Sequence, residues 1–336
     1  MSADRIDRIG IGSGTPEGKN SAYLVDDRLV VDPGPPTDRA WTDLREGLER
    51  AGVSLPDLEY VLVSHWHVDH AGLAPRLAEA ADATLAMGEA DAPLVAAYGS
   101  ERERRLERDR ETMRRWGVPA EIVEDIIEGD SVSPMPESIP VERLEEGDTI
   151  AGLEAVPTPG HTLGHTAFAG EEFVLVGDAV LPTYTPNVGG SDTRTLAIDS
   201  GTKATGSEEA ADFGTADADP LSDYFETLER LEKFEDRSKH LLPGHGTEIS
   251  DGRTTAIRDH HRARSRRVLA RLERDESEGD VVPATPWKLA VDLFGDLEGI
   301  HAKFGAGEAA AHCRRLQRTG AIVRVGKTPL EYESRP

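Results

Sequence analysis

Residues 60–70 read YVLVSHWHVDH, an apolar run that ends in a cluster of histidines and an aspartate. The run YVLVS, Tyr60 to Ser64, predicts a fully apolar strand leading into the His cluster. In an extended segment His65 and His67 point to the same side, so both imidazoles can bind one ion. Asp69 and His70 follow where the chain turns into a helix at Ala71, and they can face a second ion beside the first. A solvated His-rich loop does not account for four donors within six residues.

Working outward, residues before the cluster form short apolar runs closed by Gly, Pro or Asp: DRIGIGS, SAYLVDD and RLVVDPGPP. These predict a meander of strands. Trp41, Leu44, Leu48 and Ala51 recur at helical spacing, and AGLAPRLAEAA after the cluster predicts a second helix. This strand, loop, helix order is the frame on which α/β enzymes present catalytic groups.

Further along, GLEAVPTPG, TAFAG, EFVLVGD and KHLLPGHG predict strands, and LSDYFETLERLEKF an amphipathic helix. Three polar residues stand where these apolar runs end: His161 in TPGHTLGH, Asp178 in VLVGDAV and His245 in LLPGHGTE. Each follows a Gly, which lets the backbone turn sharply and bring a side chain to a shared centre. Singly, each residue would more often be structural. With the first cluster they make seven N and O donors, which matches two divalent ions sharing one bridging carboxylate. His165 either supports a ligand carboxylate or is a structural His, and Asp32 in VVDPG either buttresses a ligating His or is a plain turn Asp before Pro33.

The remaining segments predict additions to this frame. Residues 98–130 are rich in opposite charges at i and i+4 and predict a two-helix insertion. Residues 183–220, rich in Gly, Ser, Thr and Asp, predict a flexible loop over the site or a surface excursion. From about residue 255 a basic helix, HHRARSRRVLARLERDE, leads into a helix (TPWKLAVDLFG), a short helix, a third helix (GEAAAHCRRLQRTG) and a two-stranded ribbon. That is the order of a winged helix. The predicted division is a catalytic domain over 1–254 and a linker helix with the winged-helix domain over 255–336.

The whole chain has 336 residues, 63 acidic against 38 basic, and a formal net charge of -25; 31 of the basic residues are Arg and 7 are Lys. Such a surface suits solubility in concentrated salt, where the Debye length falls to about 3 Å near 1 M. It also argues against a nucleic-acid surface spread over the whole molecule. The single Cys313 excludes an internal disulfide and a thiolate metal cluster, so a metal site must use His and carboxylates. No run approaches the roughly 20 apolar residues of a membrane span, and MSADRIDRIG has no signal architecture. These features predict a soluble cytoplasmic protein with no membrane partner.

The motifs SHWHVDH, PGHT, GD and PGHG, with the early Asp of VVDPG, resemble the metallo-beta-lactamase superfamily in identity and order over roughly residues 6 to 250. The resemblance implies an α/β fold, a four-layer αββα sandwich. It implies that His65, His67 and His161 hold one metal, that Asp69, His70 and His245 hold the other, and that Asp178 bridges them. The implied cofactors are two divalent ions, zinc in the first instance, with iron or manganese as alternatives. The true lactamases usually carry another residue at the place of His70, and the nearer likeness is to glyoxalase II-like hydrolases and, through the winged helix, to an endoribonuclease branch.

A ligand set of this kind generates hydroxide near neutral pH without a side-chain nucleophile, and Asp69 can orient it. The leading expectation is therefore a hydrolase of a small ester or thioester. Alternatives are an endoribonuclease on single-stranded RNA, a single-iron dioxygenase of the persulfide type, and a DNA-binding regulator with a vestigial enzyme domain. A homodimer is a further expectation.

Overall fold

The computed structural model describes residues 5–15, 18–196, 219–273 and 283–335. The meander predicted at the start forms β1 (Ile6–Thr15), β2 (Gly18–Val25) and β3 (Leu29–Val31), followed by α1 (Asp38–Ala51). Thr37 caps α1 by accepting from Ala40 N–H, and Gly52 ends it in the left-handed region. The decisive run is β4 (Tyr60–Val63), then α2 (Val68–Ala71), α3 (Ala74–Ala81) and β5 (Thr84–Gly88). The single helix expected from AGLAPRLAEAA is two pieces. Gly72 sits so close to Pro36 and to the Val68 carbonyl that a Cβ there would collide, and Pro75 opens the second helix.

Next come α4 (Ala92–Ala96), α5 (Tyr98–Arg115) and α6 (Ala120–Gly129), the last two forming the predicted helical pair. The second half holds β6 (Glu142–Leu144), β7 (Thr149–Ile150), β8 (Leu153–Pro157), β9 (Thr166–Ala169), β10 (Phe173–Gly177), α7 (Pro220–Glu235) and β11 (His240–Pro243). The chain closes with α8 (Arg253–Glu273), α9 (Pro286–Phe294), α10 (Ile300–Arg318), β12 (Ile322–Lys327) and β13 (Leu330–Ser334).

Strands β1 to β6 form one sheet in chain order, and β11-β10-β9-β8-β7 form a second. Between the sheets lies an apolar layer that includes Tyr23, Val31, Leu62, Phe168, Phe173 and Leu175. The outer face of the first sheet is covered by α1 and α3 through Leu44, Leu48, Leu77 and Ala78. The outer face of the second is covered by α7 and α8. This is the predicted four-layer sandwich. Strand β4 is central and buried on both faces, which is why its sequence carries no alternation.

Two expectations need correction. Within 183–220, residues Val188 to Thr193 are buried and Thr193–Leu196 closes as a 3-10 turn, so this part is built into the body; residues 197–218 of that predicted loop lie outside the described residues. The short helix expected between α9 and the next helix is fused into α10. Gly305 and Gly307 remain inside that helix because a Cβ at either would strike Leu297 or the backbone of Gly190.

The C-terminal segment does show the helix, helix, ribbon order, yet α10 is buried on most of its faces and contributes to one continuous cluster with Trp116, Val156, Leu228 and Leu289. Trp116 is fully buried at the end of α5, and its carbonyl accepts from Trp287 N–H. Trp116→Ala should therefore cost about 3–5 kcal/mol. Urea unfolding followed by far-UV circular dichroism should remain one transition, and two separated transitions would show that the C-terminal segment is not held in this shared core.

Candidate metal centre

All seven predicted donors converge at one edge of the sandwich, where β4, β10 and β11 end and the loop after β8 returns. The strand ends explain the placement. Gly177 has φ 47° and a Cβ there would strike Ser64 and His165, so only glycine lets β10 deliver Asp178 against the His65 loop. Gly244 does the same for His245, since a Cβ there would press on Asp178 and His70.

His65 Nε2 lies 2.9 Å from His67 Nδ1, which lies 3.0 Å from His161 Nε2. Three imidazole nitrogens so close cannot all be satisfied by one another. A tetrahedral ion with bonds of 2.0–2.1 Å separates its ligands by roughly 3.3 Å, so these nitrogens sit near the corners of such a cage. The second trio is similar: His70 Nε2 is 3.2 Å from His245 Nε2 and 3.6 Å from Asp69 Oδ2, which is 3.3 Å from His245 Nε2. Asp178 lies between the trios, with Oδ2 3.8 Å from His161 Nε2 and 3.5 Å from His245 Nε2. Its Oδ1 is buried without a hydrogen-bond partner, 3.4 Å from His70 Nε2. An orphaned carboxylate oxygen facing imidazole nitrogens fits a cation between them.

The donor rings are oriented from behind. Asp32 accepts from Ser64 N–H at 2.7 Å and from the Ser64 hydroxyl at 2.6 Å, and its Oδ2 is 3.2 Å from His70 Nδ1. Ser64 Oγ in turn lies 3.0 Å from His65 Nδ1. One buried aspartate thus fixes a ring in each trio. Asn20 Nδ2 donates to Asp69 Oδ2 at 3.3 Å and to its carbonyl at 2.9 Å. His161 Nδ1 faces the Asn187 carbonyl at 2.9 Å.

His165 does not donate to a ligand carboxylate, one of the two roles open to it from sequence. Its Nε2 accepts from the Asp178 backbone N–H at 3.2 Å and its Nδ1 faces Thr158 Oγ1 at 2.7 Å, so it holds the backbone of Asp178 in place. It touches no reacting position and is a positioning residue.

The electrostatics divide the two trios. Burial, with neighbouring His70 and His67, pulls His65 well below its usual value, and burial and His161 pull His67 to about 3. Both rings are neutral and ready to ligate. Burial acts downward on His70 and His245 too, but the carboxylates of Asp178 and Asp69 outweigh it: His70 is raised well above its usual value and His245 to about 9. Burial pushes Asp69 and Asp178 upward, yet the facing His70 and His245 hold both below the ordinary carboxylate range.

Sequence reasoning missed a second buried network that joins the two ligand loops. Asp91 accepts from Trp66 N–H at 3.2 Å, from Thr162 Oγ1 at 2.7 Å and from Gly164 N–H at 2.9 Å. Arg194 bridges Asp91 and Asp192, and Asp192 accepts from Leu163 N–H at 3.0 Å. The partners are distant in sequence, so no local pattern announces them. A further trio, His261, Glu308 and His312, is buried behind the centre. There the Arg264 guanidinium already engages Glu308 and supplies the positive charge, so the trio is an ion-paired core cluster.

Above the donors opens a cavity of about 830 Å³. Trp66, Leu106, Ile126, Ile127, Leu181 and Phe304 give it an apolar wall, and Tyr184 stands at its rim. Its cations are ion-paired: Arg105 and Lys303 share Asp109, and Arg102 and Arg105 share Asp130.

A family profile described as the metallo-beta-lactamase superfamily matches residues 15–245. The relative named "Probable metallo-hydrolase YqjP" of Bacillus subtilis is 26% identical over 333 residues, 96% of this chain and 95% of that protein. A "Probable metallo-hydrolase" of Methanocaldococcus jannaschii is 25% identical over 234 residues, 69% of this chain and 89% of its own. Among solved structures, a metallo-beta-lactamase family protein of Thermus thermophilus aligns with a TM-score of 0.74 at 26% identity over 98% of both chains. A beta-lactamase domain protein of Burkholderia ambifaria shares the fold at TM-score 0.68 and 22% identity, over 98% of this chain and 91% of that one. The likeness to the Thermus protein includes the C-terminal segment.

Proposed function

The chain belongs to the metallo-beta-lactamase superfamily and is a metal-dependent hydrolase, and from that premise we propose that it uses two divalent ions, zinc in the first instance, to hydrolyse a small ester or thioester in the manner of glyoxalase II-like enzymes. The observation that carries the reading is the pair of complete donor trios joined by Asp178 beneath an apolar cleft.

When bound, such a metal pair lowers the pKa of water toward about 7 and polarises the oxygen under attack. The chain's own residues do the rest. Asp69, anchored by Asn20 and ionised throughout the working range, accepts a hydrogen bond at the cleft floor and orients the nucleophile. Trp66, Leu106 and Phe304 exclude bulk water and offer an apolar acyl group a surface to cover.

The endoribonuclease alternative finds less support. An RNA strand needs unpaired cations, whereas Arg102, Arg105 and Lys303 in the cleft are all paired with aspartates. On α8, Arg258 pairs with Glu232 and Arg264 with Glu308. The helix that would serve as a recognition helix, α10, is buried. Among the described residues no helix is long and apolar enough to cross a membrane.

Elemental analysis of protein purified without chelator should give about two ions per chain. A panel of thioester, ester, lactone, phosphodiester and RNA substrates should show hydrolysis of a small acyl substrate that a chelator abolishes and added metal restores. RNA cleavage without any acyl hydrolysis would overturn the substrate class. One iron per chain with oxygen consumption would favour the dioxygenase.

A further inference from the structure

We infer that helix α10, in the C-terminal segment, is part of the metal centre's support: through Asn187 and Glu308 it sets the position of His161, making these two positioning residues for one of the two ion sites. Five observations converge on this. The Asn187 carbonyl faces His161 Nδ1 at 2.9 Å, which fixes Nε2 as the nitrogen turned toward the centre. The Asn187 side chain is a fork. Its Oδ1 accepts from Gly190 N–H at 3.1 Å and Ser191 N–H at 2.8 Å, closing the local turn, and its Nδ2 donates to the Phe304 carbonyl at 3.1 Å and to Glu308 Oε2 at 3.2 Å, both on α10.

The loop and the helix also lie flush against each other. A Cβ at Gly307 would collide with Gly190 Cα, and one at Gly190 with the Phe304 backbone, so glycine on both sides lets the two backbones touch. Finally, Glu308 is held on its other oxygen by Arg264 of α8, so the acceptor presented to Asn187 is itself fixed. The same loop is tied a second time to the ligand, since the Ser191 hydroxyl donates to the His161 carbonyl at 2.6 Å. The chain of contacts runs from α8 through Glu308 and Asn187 to His161, with no gap longer than a hydrogen bond.

This gives the C-terminal segment a role that neither a nucleic-acid domain nor a mere packing partner would have. A ligating His whose outer nitrogen is misplaced loses metal affinity by about 10 to 100-fold. The inference rests on His161 being a ligand, and the test separates the two ideas.

Asn187→Asp keeps Oδ1 for the turn but replaces the donor facing Glu308 and Phe304 with a second carboxylate oxygen. Adding Glu308→Gln supplies a new donor from the other side. Zinc affinity at each site would be measured by chelator competition, together with the visible absorption of the cobalt-substituted protein and the melting temperature of the metal-free chain. In wild type two ions should bind. In Asn187→Asp one ion should weaken by about 10 to 100-fold with a changed cobalt spectrum for that site, while the other is unaffected, and the double variant should recover at least part of the loss. Asn187→Ala, which lacks the charge repulsion, should show the same selectivity and covers poor folding of the Asp variant. Unchanged affinity at both sites, or equal loss at both in step with a lowered melting temperature, would overturn the inference. Failure of the wild type to bind metal would instead defeat the metal-centre reading itself.

Discussion

Asp178→Ala is expected to abolish hydrolysis of every substrate and to lower the metal content below two ions per chain. Asp178 faces donors of both trios directly, His161 on one side and His70 and His245 on the other. As the proposed bridge it would be the ligand both ions share, and without it the pair would no longer be held to supply a nucleophile. A metal site supplies several kcal/mol of transition-state stabilisation, so the rate should fall on the order of a thousandfold or more. Asp178→Asn should do nearly as much, because it preserves shape but removes the charge that offsets two cations. His165→Ala should cost less, roughly 10 to 100-fold, since it supports only the backbone N–H of Asp178. Near wild-type turnover in Asp178→Ala, measured with metal content on the same preparation, would remove Asp178 from the bridging position.

That donor set is legible in the sequence because its members stand in the short segments that follow buried strands. An apolar run closed by Gly and then a His or Asp is a local pattern with a local cause: the strand must stop, the glycine turns it, and the next side chain faces the sheet edge. Asp32 follows a buried strand directly, without a glycine, and the sequence leaves it open as a plain turn residue before Pro33. What orients the ligands from further away is not legible. Asp91 sits in GEADAP, and its partners Thr162, Gly164 and Arg194 come from segments that only the fold brings near. Glu308 likewise reads as one charge on a helix, and its link to His161 exists only because Gly190 and Gly307 let two backbones meet.

Short edge strands escape for a related reason. β6 and β7 have three and two residues, too few for any period to register. The order of helices and ribbon at the C-terminus is readable, but order alone does not show which faces are covered. Burial of α10 against the body follows from its many Ala and Gly residues, which permit close approach and carry little side-chain signal of their own.

The two ion sites should also differ in the protons they exchange for metal. A divalent ion binds imidazole only in its neutral form, so a site whose histidines are protonated in the metal-free chain must release those protons on binding. His65, pulled down by burial and by His70 and His67, and His67, pulled down by burial and by His161, are neutral at pH 7 to 8. Binding there should release none from these two rings. His70 and His245 are different: the Asp178 and Asp69 carboxylates keep both protonated in the absence of metal, His245 up to about 9. Filling that site should release about two protons per chain. Below the raised value near 9, where both rings are protonated in the metal-free chain, each added pH unit should strengthen the second ion's affinity by up to about a hundredfold, whereas His65 and His67 contribute no such slope to the first. Calorimetric titration of the metal-free protein in buffers of different ionisation enthalpy measures the proton count for each ion separately. Equal release at both sites would mean that the carboxylates do not hold the second pair of imidazoles charged, and the division of the centre into a ready site and a proton-blocked site would fall with it.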